Sequence, residues 1–145
     1  MFEEEFKQIK KEFYGLRNGI ISEHLKKIYP PGKLIFGLNA PQFMELTQKY
    51  PKNLELGKKL WKDKNCRESR ILALYLIPPK EIEKKEVIDM IKEVESVEEA
   101  EFLAFRILRH IPYSKELYEQ ISNENLTDPM VTYCISMFKK NIDQI

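Results

Sequence analysis

Prolines constrain this chain most strongly, because a proline can neither continue a helix nor pair within a central strand. They fall between segments whose apolar residues recur at steps of three and four, for example Phe2, Phe6, Ile9 and Phe13. The eight prolines are Pro30, Pro31, Pro41, Pro51, Pro78, Pro79, Pro112 and Pro129. Alternation of apolar and polar residues is not sustained anywhere in the sequence. The pattern therefore predicts an all-α protein made of short helices.

The spacing predicts about nine helices, over residues 2–15, 18–29, 41–50, 53–64, 67–77, 80–94, 97–111, 113–122 and 128–140. Asp128 is a natural N-cap for the last helix, with Pro129 in its first turn. The segment from Arg67 to Ile77 is apolar nearly all round after Arg70, which is typical of a helix that is buried on every side. Because short connections favour antiparallel helix pairs, we expect one all-helical domain over residues 1–145, either as stacked helix pairs or as a compact bundle.

Composition excludes several classes of protein. With 145 residues, of which 43% are apolar and 32% are charged, the chain is neither a disordered tail nor a membrane protein. Its charged start is not typical of a secretory signal. Cys66 and Cys134 lie far apart and form no disulfide or zinc motif, and no phosphate-binding loop or dinucleotide glycine pattern occurs. We therefore expect a cytoplasmic protein that uses no metal or cofactor and contacts no membrane.

Charge is segregated along the chain, although the net charge is only +1. Residues 58–70 carry six cations and two anions, a net charge of +4, whereas residues 81–101 carry nine anions and three cations, a net charge of −6. The six cations are Lys58, Lys59, Lys62, Lys64, Arg67 and Arg70. A DNA duplex could bind the first segment but would be repelled by the second. The alternative is that both segments are ordinary solvated helix faces.

Glu101 is the most unusual carboxylate in the sequence. On a helix over 97–111, its neighbours at i−4, i+3, i+4 and i+7 are all apolar. These neighbours are Val97, Ala104, Phe105 and Leu108. A carboxylate in such a stripe must lose its charge, find a cation or face a cleft. Glu101 is therefore either structural, as a half-exposed side chain or as the ion partner of an arginine on the next helix, or a groove residue that stabilises a developing cation or orients a water.

Two stretches resemble landmarks of the bacterial DNA alkylation repair enzymes of the AlkD type. LIFGLNAPQFMEL, at 34–46, is similar to the hydrophobic-Gly-x-x-x-Pro start of a helix in that family. LWKDKNCRESRILALYL, at 60–76, resembles the next landmark, in which a Leu-Trp segment and a short turn precede a Glu-x-Arg-hydrophobic-Leu-Ala helix. The residues that match this landmark in order and spacing are Trp61, Glu68, Arg70, Leu72 and Ala73. The two landmarks cover roughly residues 30–80.

The resemblance implies a superhelix of HEAT-like repeats with a basic concave face that binds duplex DNA. It also implies excision of positively charged N3- or N7-alkylated purines without flipping the base into a pocket. An aspartate and tryptophans line the DNA groove in that family, and an arginine on a later helix assists. Glu101 corresponds to the aspartate, and Val97 to the tryptophan four residues before it. Along DPMVTYCISMFKK, the tryptophan and arginines are replaced by Met130, Thr132 and Tyr133.

These replacements should remove most recognition of a cationic base and most positioning of the DNA backbone. We therefore predict a shortened and divergent family member that binds duplex DNA through Lys58–Arg70. Glu101 is its candidate catalytic residue if base excision is retained. The rival prediction is an inactive HEAT-like scaffold for a protein partner, which the low net charge and the acidic segment favour. A third is an enzyme that uses Glu101 on another substrate, although no second catalytic group supports it.

Overall fold

The computed structural model describes residues 1–143, which form nine α-helices and no β-strand. The helices are α1 (Glu3–Gly15), α2 (Gly19–Leu25), α3 (Ala40–Lys49), α4 (Leu54–Lys62), α5 (Arg67–Leu76), α6 (Lys84–Lys92), α7 (Val97–Leu103), α8 (Ser114–Ser122) and α9 (Pro129–Asp143). A 3₁₀ turn, Lys26–Ile28, extends α2, and a π-helical segment, Ala104–Leu108, extends α7. The prediction of an all-α protein with nine short helices is therefore confirmed within the described residues.

The chain divides into a first unit, Met1–Ile77, and a second unit that begins at Pro78. Helix α5 forms the centre of the first unit, because all ten of its residues are buried. This burial confirms the prediction made from its apolar sequence. Helices α3 and α4 pack against α5. A Cβ atom on Gly57 of α4 would lie 2.4 Å from the side chain of Ile77, so this close packing requires a glycine.

A loop before α3 is tied to the start of α2. The main-chain N–H of Asn18 donates to the carbonyl of Phe36 at 2.8 Å, and the Ser22 hydroxyl donates to the carbonyl of Ile35 at 2.8 Å. Gly37, the next residue of this loop after Phe36, adopts a φ of +93°. A Cβ atom added to it would lie 2.3 Å from the main-chain oxygen of Asn18. The glycine of the LIFGLNAP stretch is thus required by both its backbone conformation and its contacts.

Side-chain caps fix where several helices begin. Asn39 and Gln42 form a capping box at the start of α3, and Asn53 caps α4. The carboxylate of Asp128 accepts hydrogen bonds at 3.0 and 3.1 Å from the main-chain N–H groups of Met130 and Val131. Asp128 is therefore the N-cap of α9, as its position before Pro129 predicts.

Helix α9 forms the centre of the second unit and packs against α6, α7, α8 and the π segment. Its buried stripe consists of Val131, Cys134 and Phe138. The π segment directly follows α7, so the predicted helix 97–111 is not a continuous α-helix. Because a π-helical turn holds more residues than an α-helical turn, side chains beyond Leu103 are rotated relative to a regular helical wheel.

Candidate nucleic-acid interface

The basic segment begins on the outer face of α4. Four residues of this helix are buried, namely Leu56, Gly57, Leu60 and Trp61. Helical spacing places Lys58, Lys59 and Lys62 away from this buried stripe. Lys58 and Lys59 are partly exposed, and Lys62 and Lys64 are exposed. Lys62 also lies in the last turn of α4, where the helix dipole favours a cation.

The four lysines differ in their acidic partners. The Lys58 ammonium lies 3.5 Å from the carboxylate of Glu55, and the Lys59 ammonium lies 4.0 Å from that of Glu3. Lys59 also lies 5.4 Å from the ring centre of Phe6. Within residues 1–143, no carboxylate lies within ion-pair distance of Lys62 or Lys64. The charges of these two lysines are therefore the most available to an anionic partner.

A surface cavity of about 290 Å³ adjoins these lysines. It is lined by Met1, Phe2, Glu3, Glu55, Lys58, Lys59 and Lys62. Three lysine ammonium groups, the α-ammonium group of Met1 and two carboxylates thus share its wall. The cavity is large enough for a phosphate group, and a phosphate there would compete with the two carboxylates for the lysines.

Arg67 and Arg70 lie inside the first unit, in contrast to the expectation that they face DNA. The Arg67 guanidinium donates to the carbonyl of Leu38 at 2.8 Å and to the carboxylate of Glu68 at 2.7 Å. The Arg70 guanidinium donates to the carbonyl of Trp61 at 3.0 Å and lies 4.1 Å from the centre of a Trp61 ring. Both arginines are at most 5% exposed, because these internal bonds replace water around their charges.

Glu68 explains why the two landmarks of the family occur together. Its fully buried carboxylate accepts hydrogen bonds from the main-chain N–H groups of Phe36, Gly37 and Leu38, at 2.9, 2.9 and 3.3 Å. It also forms the 2.7 Å ion pair with Arg67. Glu68 of the second landmark, residues 60–76, therefore holds the loop at 36–38, which belongs to the first landmark. This part of the motif is structural rather than a DNA contact.

Glu101 lies on the surface of the second unit, at the edge of the apolar stripe rather than inside it. Two of its wheel neighbours, Ala104 and Leu108, are fully buried, whereas Val97 and Phe105 are 39% and 53% exposed. The carboxylate therefore reaches water instead of lying within the apolar stripe. The helical wheel assumed a continuous α-helix, so it predicted neither the π segment nor the exposure of Val97 and Phe105.

The partner of Glu101 is a tyrosine on α9. The Tyr133 hydroxyl donates to the Glu101 carboxylate at 2.7 Å. This hydrogen bond raises the pKa of Tyr133, because loss of the phenol proton would place two negative charges together. This contact is not predictable from the sequence, since the two residues are 32 positions apart. Glu101 is therefore held at one point of the surface by a residue of α9.

This arrangement provides a carboxylate and a phenol at one place on the second unit. A carboxylate fixed beside an aromatic ring can attract a cation or accept a proton.

No cluster of three or more histidine, cysteine or acidic residues suited to a metal ion occurs in residues 1–143. Among those residues, no helix is both long and apolar enough to span a membrane.

The helices, caps and exposed lysines together define an all-helical protein with a basic first unit. Its sequence matches the family of DNA alkylation repair enzymes over residues 4–144. The chain therefore belongs to that family, as the two landmarks indicated. No curated protein matches the sequence.

The fold is also that of a solved structure, described as belonging to "a new family of proteins related to the HEAT-like repeat DNA glycosylases with affinity for branched DNA structures". The similarity covers 92% of this chain with a TM-score of 0.78 and 14% sequence identity. It covers 55% of that protein, so this chain spans about half of its length. The predicted HEAT-like helical fold is confirmed by this similarity.

Proposed function

We propose that this chain binds duplex DNA through Lys58, Lys59, Lys62 and Lys64 of its first unit. The proposal depends on one observation above all: Lys62 and Lys64 are exposed, and within residues 1–143 neither has an acidic partner. Membership of the DNA alkylation repair family supports it. So does the branched-DNA affinity ascribed to the solved relative.

The distribution of charge supports the same surface. Residues 1–77 contain 15 cations and 9 anions, a net charge of +6, whereas residues 78–145 contain 9 cations and 14 anions, a net charge of −5. DNA is a polyanion, so its approach to the first unit is favourable and its approach to the second is not. The interface is therefore assigned to the first unit alone.

The chemistry of lysine determines what kind of binding is expected. An ammonium group is a compact charge that neutralises a phosphate without reading a base edge. The two arginines of the 58–70 segment, which could otherwise make bidentate base contacts, are buried in internal hydrogen bonds. We therefore expect binding that depends strongly on salt and weakly on sequence.

A double substitution tests this interface. Lys62→Ala with Lys64→Ala should weaken duplex binding at low salt by at least about tenfold and remove about two phosphate contacts from the salt slope. The matched control is Lys139→Ala with Lys140→Ala, which removes the same charge from exposed positions of the second unit. If the control weakens binding as much as the test variant, net charge alone determines affinity and the proposed interface is wrong.

Base excision is assigned a minor role at most. Glu101 is exposed and bonded to Tyr133. By the resemblance, Val97 and Met130 stand at two tryptophan positions of the family, and Thr132 and Tyr133 stand at its arginine positions. Few groups are thus available to hold a cationic base or to position its sugar. The test is release of alkylpurines from methylated duplex DNA by the wild type and by Glu101→Gln. Rapid release that depends on Glu101 would show that the site is active and that this assignment is wrong.

A protein-binding scaffold is the second candidate function. It is favoured by the exposed apolar side chains of Val97 and Phe105 on an acidic unit, which do not suit a polyanion. Such a scaffold would keep its partner when Lys62 and Lys64 are both replaced by alanine. Loss of DNA affinity in that variant, with partner binding unchanged, would show that the two functions are separate.

A further inference from the structure

Tyr14, near the end of α1, is an aromatic side chain that the first unit leaves in water. It is 59% exposed. Within residues 1–143 its hydroxyl group donates no hydrogen bond, whereas the hydroxyl groups of Tyr50, Tyr113 and Tyr133 each donate one. The ring of Tyr14 therefore contributes little to the fold and is accessible to a ligand.

Arg17 lies over one face of this ring. Its guanidinium carbon is 4.0 Å from the ring centre, which is within cation–π distance. The guanidinium also donates to the main-chain carbonyl of Tyr14 at 2.8 Å, so its position is fixed at two points. Within residues 1–143 no carboxylate pairs with Arg17. The two side chains thus present a planar surface with an uncompensated positive charge.

This surface lies beside the proposed DNA interface. Lys10 of α1 is paired with Asp63 at 2.6 Å, so this flank of α1 faces the end of α4. Tyr14 is four residues after Lys10, and helical spacing places it one turn further along the same flank, with Cβ atoms about 5–6 Å apart. Asp63 stands between Lys62 and Lys64, the two lysines on which the proposed interface mainly depends.

We infer that Tyr14 and Arg17 form a stacking platform for an unpaired DNA base next to a duplex bound by the lysines. The inference rests on the proposed function and names a second feature of its ligand. Every base has a flat face that can stack on an aromatic ring or on a guanidinium plane. A base inside a duplex is already stacked on its neighbours, so the platform selects a base in a single-stranded overhang or gap.

The charge around the platform favours a nucleic acid over a protein. Lys7 and Lys11 are exposed on the same helix, seven and three residues before Tyr14. The nearby acid, Glu12, accepts hydrogen bonds from Lys49 at 2.6 Å and from a tyrosine of the first unit. The unit as a whole has a net charge of +6. Phosphates on either side of a stacked base would therefore meet cations.

Fluorescence anisotropy with two DNA substrates tests the platform. One is a blunt duplex, and the other is the same duplex with a single-stranded overhang of about six nucleotides. The wild type should bind the overhang substrate at least about fivefold more tightly. Tyr14→Ala should lose this preference and keep its affinity for the blunt duplex. Tyr14→Phe should keep the preference, whereas Tyr14→Leu, which retains apolar bulk without a ring, should lose it.

Two further readouts separate stacking from charge. Stacking releases no counterions, so Tyr14→Ala should weaken overhang binding by the same factor at each salt concentration. Lys62→Ala with Lys64→Ala should instead flatten the salt dependence. A fluorescent adenine analogue at the first unpaired position should change its emission when the wild type binds, and should not do so with Tyr14→Ala.

Phe105→Ala is the matched control. Phe105 is 53% exposed and has the Arg109 guanidinium 5.5 Å from its ring centre, but it belongs to the unit whose net charge is −5. This variant should bind both substrates as the wild type does. Equal weakening of overhang binding by Phe105→Ala would overturn the inference.

The outcomes distinguish the platform from the proposed function. A wild type that binds neither substrate would contradict both. Normal duplex binding without a preference for the overhang would overturn the platform alone. So would a preference that survives in Tyr14→Ala, and the exposed ring would then be a surface for a protein partner.

Discussion

The buried carboxylate of Glu68 should be the most costly single side chain to change in the first unit. In Glu68→Gln, one carboxamide oxygen remains to accept bonds, while the new NH₂ group faces main-chain donors that the carboxylate had satisfied. The substitution also leaves the buried Arg67 without its ion partner in Glu68. Breaking a buried pair of this kind costs about 3–5 kcal/mol, much of it from the remaining charge. We therefore expect the free energy of unfolding of the first unit to fall by about 3–5 kcal/mol.

Trp61 makes this prediction measurable for the first unit by itself. It is the single tryptophan of the chain and is buried on α4, so its fluorescence reports unfolding of this unit. The free energy of unfolding of a small domain falls by about 1–3 kcal/mol per molar urea, so the urea concentration at the unfolding midpoint should fall by at least about 1 M in Glu68→Gln. Glu55→Gln is the matched control, because Glu55 is exposed and its ion pair with Lys58 is worth less than about 1 kcal/mol. A loss below about 1 kcal/mol in Glu68→Gln would refute the role given to this carboxylate.

Three further predictions follow from individual contacts. Gly37→Ala should destabilise the first unit by at least about 2 kcal/mol in the same urea experiment, because the residue has a φ of +93° and its new Cβ atom would lie 2.3 Å from the main-chain oxygen of Asn18. Gly15→Ala is the control and should not destabilise the unit, since a Cβ atom on Gly15 has no neighbouring atom within 4 Å. Burial raises the pKa of Cys134 to about 12 from 9.0. The stability that this thiol provides is therefore present below pH 9.0 and lost as the pH rises toward about 12, and Cys134→Ala should flatten that part of the stability profile. The hydrogen bond from Tyr133 to Glu101 raises the pKa of the phenol, so Glu101→Gln should lower that pKa in an NMR titration of labelled tyrosine. An unchanged pKa would mean that the bond does not form in solution.

Much of the fold is predictable because its signals are local. Prolines and capping residues fix helix ends within a few positions of one another, as Asp128 and Pro129 do for α9. The apolar run after Arg70 predicts the central helix because few polar side chains remain to face water. The 3₁₀ turn after α2 and the π segment after α7 are not predicted, since both depend on how neighbouring helices pack.

The candidate site is only partly predictable, because the relevant contacts are distant in sequence. The buried stripe of α4 already indicates that Lys58, Lys59 and Lys62 face outward. Arg67 looks like an extension of this basic run, but its guanidinium bonds to Leu38, 29 residues earlier. The contact between Glu101 and Tyr133 spans 32 residues and is equally invisible in the sequence.

The salt dependence of duplex DNA affinity tests the proposed function most directly. If the four lysines each neutralise one phosphate, log K should fall with log[salt] at a slope of about −3 to −4, so affinity drops roughly 100-fold between about 50 and 200 mM salt. Fluorescence anisotropy with an unmodified duplex is sufficient to measure it. A slope near zero, or affinity no better than about 1 mM at low salt, would contradict the account.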